Sequence, residues 1–139
     1  MIRLAGLTLL LCATAAQAAS VEVVVDGIEA APGTVYVTLC QGGLSGGACR
    51  IGDDAPGGGG SRRFSFQGVT PGAWAVAAYQ DLNGNGRLDR TNLGLPLEPY
   101  GLSNGAGRRA RPDFGHARFA LSEPGTTVRV HPSRALPAR

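Results

Sequence analysis

Short runs in which apolar and polar residues alternate are the feature that most constrains the fold of this chain. A period of two places every second side chain on the same face of a β-strand. No window has the three- and four-residue spacing of an amphipathic helix. The alternation recurs in six runs, whose apolar positions are Val21, Val23 and Val25; Val35, Val37 and Leu39; Phe64 and Phe66; Trp74, Val76 and Ala78; Phe119 and Leu121; Val128 and Val130.

Turn-forming pairs separate these runs. Asp26-Gly27, Pro32-Gly33, Pro71-Gly72 and Pro124-Gly125 all lie beside a predicted strand. Many short strands with regular turns are typical of an all-β protein, and we expect an antiparallel β-sandwich of about six to eight strands with Greek-key connections. The expected core is formed by Val23, Val37, Phe64, Phe66, Trp74, Val76 and Phe119.

The first residues have the pattern of a secretory signal peptide. Arg3 precedes an apolar stretch, and Ala16-Gln17-Ala18 has the small-x-small pattern of a cleavage site. The stretch is too short to span a bilayer as a helix, so we expect no transmembrane segment in the mature chain. Cys12 follows Leu11, whereas a lipoprotein signal needs a small residue there. We therefore expect a periplasmic or secreted protein of a Gram-negative-type cell envelope.

Removal of the signal divides the chain into three predicted parts. Residues 1–18 are the signal peptide, 19–130 form one β-sandwich domain, and 131–139 form a C-terminal tail that we expect to be frayed. The mature domain has about 120 residues, enough for one core. Its cations are all arginine, its net charge is about +2 without Arg3, and its charges are dispersed. This balance argues against nucleic-acid binding and leaves an envelope or extracellular partner of unknown identity.

Two cysteines remain after the signal. Cys40 and Cys49 form an even pair, and an oxidising compartment favours a disulfide between them. Such a bond would close a short glycine-rich loop and stabilise the fold by roughly 2–3 kcal/mol. A metal or redox pair would need closer spacing or a nearby histidine. We predict the disulfide.

Two stretches of the chain are long and irregular. Residues 42–61 are glycine-rich, and we expect them to be mobile beyond the disulfide. Residues 81–113 are rich in Asn, Asp, Gly and Pro, and a stretch of this length inside a compact domain is usually functional or disordered. We expect one long ordered loop here, packed through the apolar residues Leu88, Leu93, Leu95, Leu97, Tyr100, Leu102 and Phe114.

The start of this second stretch has the spacing of a calcium-binding loop. Asp81, Asn83, Asn85 and Asp89 stand at positions 1, 3, 5 and 9, with Gly86 at position 6. In such a loop alternate side chains point towards a hard cation, and glycine permits the sharp turn. The backbone carbonyl of Arg87 and the side chains of Asn92 or Glu98 complete the predicted ligand set.

The predicted affinity is low, because Asn92 replaces the usual bidentate Glu at position 12. We expect a Ca²⁺ dissociation constant of roughly 10⁻⁴ to 10⁻³ M. The alternative is a plain loop, since Asn-Gly pairs accept positive φ angles and form turns without a metal.

Several stretches of the sequence form one pattern together: Phe66–Val76, Asp81–Asp89, Gly94-Leu95-Pro96, Glu98, Tyr100–Asn104, Pro112-Asp113-Phe114 and Ala117. In these stretches the chain resembles the uncharacterised family called domain of unknown function 2141. The similarity extends from about Val21 to Val130 and implies a secreted bacterial β-sandwich of transthyretin-like (prealbumin-like) or carboxypeptidase-regulatory-like form, with no known reaction. Gln80 stands where relatives are expected to have His, which weakens the case for a His-assisted transition-metal site.

Catalytic patterns are weak. Ser45 and Ser103 each lie in a Gly-x-Ser-x-Gly match, but neither match has the strand before it and the helix after it that a nucleophile elbow needs. His116 and His131 are expected at solvent-facing strand ends, and the adjacent Asp53-Asp54 pair cannot face a substrate from both sides. We therefore expect no enzyme.

Three functions remain. The first is a calcium-stabilised binding or structural accessory module, the second is a metal-free structural envelope domain, and the third is a small serine hydrolase using Ser103 or Ser45.

Overall fold

The computed structural model describes residues 6, 8–12, 18–108 and 112–135. Most of the predicted signal peptide, Arg109 and Arg111, and residues 136–139 of the predicted tail lie outside the described residues. The described part contains eight strands, a 3₁₀ turn at Ser103–Gly105 and one α-helical turn at Phe114–Ala117. The strands are β1 Ala19–Ile28, β2 Thr34–Gln41, β3 Ile51–Pro56, β4 Gly60–Val69, β5 Gly72–Asp81, β6 Tyr100–Leu102, β7 Phe119–Leu121 and β8 Gly125–Val130.

The strands form two open sheets. The first has the order β4-β1-β8, and the second has the order β3-β2-β5-β6. β7 also pairs with β5, through Gly72–Trp74, while β6 pairs with Ala77–Tyr79 farther along the same strand. The all-β fold with two sheets confirms the class predicted from the alternating runs.

The alternation marks the buried faces correctly. In β1, Val21, Val23 and Val25 are fully buried, and in β5 Trp74 and Val76 enter the same cluster. All predicted core residues belong to this cluster, with Phe119 only partly buried at its edge. Burial of a large apolar side chain contributes roughly 1.5–3 kcal/mol, so these faces hold the two sheets together.

One strand pairing differs from the all-antiparallel expectation. β1 and β8 run parallel, with Val23 opposite Val128. Alternation records which side of a strand is buried, but the direction of the neighbouring strand depends on the connection between them. β8 is reached only after the chain has crossed from the second sheet back to the first.

The glycine-rich stretch 42–61 contains a strand that the sequence analysis missed. β3 pairs with β2 along its length, from Thr34 opposite Pro56 to Leu39 opposite Ile51. Asp53 and Asp54 therefore lie on an exposed edge strand rather than in a flexible loop. The backbone ladder with β2 orders this segment, and its composition gave no strand signal because β3 has few apolar residues.

The predicted disulfide is confirmed. Cys40 and Cys49 are joined by an S–S bond of 2.00 Å, and the Gln41 N–H donates to the Ala48 carbonyl at 2.9 Å. Cys40 faces away from the main core. It packs in a second, small apolar cluster with Ala75, Leu102 and Ala117 on the outer face of the larger sheet.

Residues 131–135 contact the sandwich instead of fraying. Ser133 and Tyr100 exchange two backbone hydrogen bonds, of 2.9 and 3.1 Å. Pro132 is buried, and Arg134 forms a two-pronged ion pair with Glu29 at 2.6 Å. The tail was expected to be loose because it follows the last alternating run, and that local pattern contains no information about distant partners.

Candidate metal-binding loop

The candidate loop begins where β5 ends. Asp81 is the last residue of β5 and lies opposite Thr34 of β2. Its side chain is only 1% exposed. A Cβ added at Gly33 would lie 2.2 Å from the Asp81 carbonyl oxygen, and Gly33 has a φ of +136°. A glycine at position 33 therefore lets the β1–β2 turn approach the start of the loop closely.

The Asp81 carboxylate organises the turn that follows it. Its Oδ1 accepts the Gly84 N–H at 3.0 Å, and its Oδ2 accepts the Gly86 N–H at 2.7 Å. Both glycines have positive φ, 75° and 72°. Such angles suit glycine and bring the two N–H groups round to one carboxylate.

The two asparagines and Asp89 come together on the next part of the loop. Asn83 Nδ2 donates to Asp89 at 2.5 Å, and Asn85 Nδ2 donates to both carboxylate oxygens at 2.8 Å. The hydrogen bonds from Asn83, then those from Asn85, hold the pKa of Asp89 below its usual value. The amide oxygens accept backbone N–H groups of Asn85 and Arg87, at 3.2 and 3.0 Å.

Glu98 closes the loop from the other end of the segment. Its side chain is 5% exposed. One oxygen accepts the Leu82 N–H at 2.5 Å, and the other accepts the Asp89 N–H at 3.2 Å. Glu98, a predicted ligand, therefore connects the first turn of the loop to Asp89.

Asn92 is separate from this group. It is exposed, and in the described part of the chain it forms no hydrogen bond to the loop carboxylates. Arg87 is also exposed and contributes its N–H to Asn85. Of the predicted ligand positions, hydrogen bonds link Asn83, Asn85 and Glu98 to Asp89. The Asp81 carboxylate instead accepts the N–H groups of Gly84 and Gly86.

A tyrosine that the sequence analysis did not assign to the site supports the loop. The Tyr79 hydroxyl donates to the Gly86 carbonyl at 3.0 Å, and its ring stacks on Tyr36 with 5.1 Å between centroids. Burial, and then the neighbouring Tyr36 and loop carboxylates, raise the pKa of Tyr79 to about 12. The alternation of β5 places Tyr79 on the face opposite Trp74. This was the sequence feature from which its position beside the loop could have been predicted.

Gln80 holds the neighbouring turn rather than pointing to a ligand. The side chain is fully buried. It accepts the Glu29 N–H at 2.9 Å and donates to the Glu29 and Ala31 carbonyls at 3.1 and 3.4 Å. The residue at this position fastens the β1–β2 turn to β5 beside the loop.

Within residues 6, 8–12, 18–108 and 112–135, no group of three or more acidic, His or Cys side chains is arranged to hold a metal ion. The side-chain oxygens of the loop come from two amides and three carboxylates. In this structure the carboxylates accept hydrogen bonds from N–H groups.

The candidate catalytic residues are held in structural contacts. Ser103 is fully buried; its hydroxyl accepts the Val76 N–H at 2.9 Å and donates to the Ala117 carbonyl at 2.5 Å. His116 pairs with Asp113 at 2.5 Å, and His131 pairs with Asp26 at 2.6 Å. Ser45 is exposed in the disulfide loop.

The anchoring of the long segment differs from the prediction. Leu102 is buried, but Leu93, Leu95 and Leu97 are 89%, 42% and 47% exposed. The segment is instead held at its base by polar contacts, since Leu97 N–H donates to the Asp89 carbonyl at 2.8 Å. Leucine spacing alone did not show that these residues occupy an outward hairpin.

The fold and the loop define a small two-sheet β protein with an Asp/Asn/Gly-rich loop at one end of the sandwich. A family model described as "uncharacterized protein conserved in bacteria" (DUF2141) matches residues 23–129, and the chain belongs to this family. No curated protein and no solved structure matches the chain. None of the helices in the described residues has the length and apolar character needed to cross a membrane.

Proposed function

We propose that this protein is a non-catalytic β-sandwich module of the periplasm or the extracellular space, whose loop at residues 81–98 binds Ca²⁺ weakly. In this proposal the ion orders the loop, and the module serves as a binding or structural accessory domain. The signal-peptide pattern and the disulfide support the compartment, because both are typical of exported proteins.

The observation that carries the calcium proposal is a pair of buried carboxylates without cationic partners. Asp81 and Glu98 are 1% and 5% exposed. Among the described residues, neither they nor Asp89 form a salt bridge. Backbone N–H groups stabilise buried carboxylates only in part, and a bound cation would offset the remaining desolvation.

The ligand chemistry supports a hard cation. Carboxylate, amide and carbonyl oxygens are the ligands that Ca²⁺ takes in irregular loops. Asp81 uses its oxygens on Gly84 and Gly86, as the first carboxylate of a curled loop would, and the Asn83 and Asn85 amides already lie against Asp89. The amide groups would have to turn their oxygens inwards, which a rotation about the last side-chain bond achieves.

Thermal melting of the purified protein tests this proposal. If calcium binds only the native state at ten to a hundred times its dissociation constant, the protein is stabilised by roughly 1.4–2.7 kcal/mol, or several degrees. Magnesium should stabilise much less, because it resists dehydration and an irregular cage. The stabilisation by calcium should disappear in Asp81→Ala. It should also disappear in Asp89→Asn, which changes a less buried carboxylate and disturbs the fold less.

The matched control is Asp54→Asn, which removes an exposed acid from β3 outside the loop. This variant should gain as much from calcium as the wild type does. Equal gains in the Asp89→Asn and Asp54→Asn proteins, or no gain in the wild type, would leave the metal-free structural domain as the better function.

The hydrolase alternative is the weaker one. A nucleophilic serine needs an accessible hydroxyl beside a base. The buried Ser103 hydroxyl is engaged by Val76 and Ala117, which supports a structural role. Ser45 is exposed, but among the described residues its hydroxyl has no hydrogen bond to a base. A fluorophosphonate probe should therefore leave both serines unlabelled.

We also propose that the two sheets have the Greek-key, prealbumin-like arrangement. Support comes from the strand orders: β1 lies between β4 and β8, and the chain passes between sheets from β1 to β2, β3 to β4, β4 to β5 and β7 to β8. An experimental structure that shows another strand order would reject it.

A further inference from the structure

A groove lies beside the exposed hairpin, apart from the carboxylates of the loop. Four segments line it: residues 90–96, 100–102, 105–108 with Pro112, and 131–135. Its volume is about 790 Å³, within the range of about 300–1,000 Å³ typical of small-molecule sites. It is therefore large enough for a discrete ligand.

The charges of the groove have one sign. Among the described residues, its lining contains Arg90, Arg108, Arg134 and His131 and no Asp or Glu. Arg134 is paired with Glu29, and His131 with Asp26. Among the described residues, Arg90 and Arg108 form no salt bridge. Two guanidinium groups thus remain available to an anion.

Both of these arginines have donors to spare. Arg90 uses Nη1 to hold the Gly94 carbonyl at 3.2 Å. Its Nε and Nη2 form no hydrogen bond in the described part of the chain. The Arg108 side chain runs close to Gly105, where an added Cβ would lie 3.9 Å from Cδ. Guanidinium groups bind carboxylate and phosphate through paired N–H donors.

The rest of the lining is largely apolar. Leu93, Leu95 and Pro96 belong to the hairpin, and Leu102 and Ala106 belong to the segments that follow it in the chain. Leu93 and Leu95 are 89% and 42% exposed, and covering them would be favourable. An apolar body lying in the groove would remove part of this surface from water.

We propose that the groove binds a small anionic amphiphile, with its carboxylate or phosphate at Arg90 and Arg108. The apolar body lies against Leu93, Leu95 and Leu102. This site uses none of the loop carboxylates, so its ligand contacts do not require a bound Ca²⁺, although the hairpin 90–96 belongs to the same loop. The concave shape and the volume of about 790 Å³ favour a single small molecule. Because Leu93 also projects into solvent, docking on a membrane is a separate outcome of the test.

Isothermal titration calorimetry in EDTA tests the proposal with monomeric probes, all below their critical micelle concentrations. Sodium decanoate and decyl phosphate should bind saturably with a stoichiometry near one, and comparison of the two tells which head group is preferred. Acetate, which lacks the chain, should bind at least tenfold more weakly. Decyltrimethylammonium, which has the chain and the opposite charge, should not bind.

The variants Arg90→Gln and Arg108→Gln should each weaken decanoate binding several-fold, and together at least tenfold. Both arginines are exposed, so the fold should persist. Arg63→Gln is the matched control, because Arg63 is an exposed arginine of β4 outside the groove. It should bind as the wild type does.

Four outcomes would overturn the proposal: no saturable binding of either anionic probe, equal binding of the cationic probe, unchanged binding in the double variant, or binding confined to phosphatidylglycerol vesicles. The last would identify a membrane-docking surface. A calcium-insensitive protein that binds decanoate would reject the proposed calcium function and leave the groove intact.

Discussion

The connection from β2 to β4 and the connection from β5 to β6 have equal length, residues 42–59 and 82–99, but the first contains eight glycines and the second three. The first is held by the Cys40–Cys49 disulfide and by the pairing of β3 with β2. The second contains no strand and is held by Asp81, Asp89 and Glu98, which accept N–H groups.

This difference shows that the length of a connection does not determine how it is ordered. A covalent bond and a backbone ladder are insensitive to pH and cations in the ordinary range. Carboxylate contacts depend on ionisation and on bound ions. The first connection should therefore respond to redox conditions, and the second to acid and to calcium.

The largest loss of stability should come from a change in the apolar core between the two sheets, from which both connections extend. Trp74 lies in β5, buried to 6% exposure, and its Nε1 donates to the Thr70 carbonyl at 2.8 Å. Trp74→Ala should lower the free energy of unfolding by about 3–5 kcal/mol, because it leaves a cavity between the sheets. Urea denaturation followed by circular dichroism measures this loss. Trp74→Phe should lose less, and a loss below about 1 kcal/mol in the Ala variant would contradict the assigned core.

Reduction of the disulfide should affect the first connection alone. The double variant Cys40→Ser/Cys49→Ser should lose about 2–3 kcal/mol, from the release of a short closed loop in the unfolded chain. Hydrogen exchange should accelerate in residues 41–50 and stay unchanged at Gly84 and Gly86. Faster exchange in both connections would show that they are coupled.

Ser103 tests how the second connection is anchored where it ends. Ser103→Ala removes a buried hydroxyl that joins β5 to Ala117, and leaves the Val76 N–H without its partner. We expect a loss of about 1–3 kcal/mol. Ser45→Ala is the control, since Ser45 is exposed in the first connection, and it should melt as the wild type does. If Ser103→Ala and Ser45→Ala melt at the same temperature, the structural role assigned to Ser103 is wrong.

The smallest effect concerns acid. The hydrogen bonds from Asn83 and Asn85 lower the pKa of Asp89 in the folded state. Its contribution to stability is therefore present above the ordinary pKa of an aspartate, about 3.9, and is lost as the pH falls through the lower folded pKa. As the pH falls through this range, hydrogen exchange of the Asn85 and Arg87 amides should become faster in the wild type, after correction for intrinsic rates. Asp89→Asn should show no such change.

Several features were predictable because they are local in sequence. The period of two identified the inward faces of β1 and β5. The spacing from Asp81 to Asp89 identified the side chains that form the hydrogen bonds of the loop. The cysteine count gave the disulfide. Strand β3 was not predicted because Gly52, Asp53 and Asp54 have low strand propensity. Its pairing with β2 overrides that preference.

The sequence by itself thus determined the strand faces, the disulfide partners and the oxygen-rich turn, since each depends on residues close together in the chain. Tertiary structure alone decided the parallel pairing of β1 with β8, the outward position of Leu93 and the docking of Ser133 on Tyr100. These features bring together residues far apart in sequence. Their free energy depends on how the two sheets and their connections cover one another, which no local pattern records.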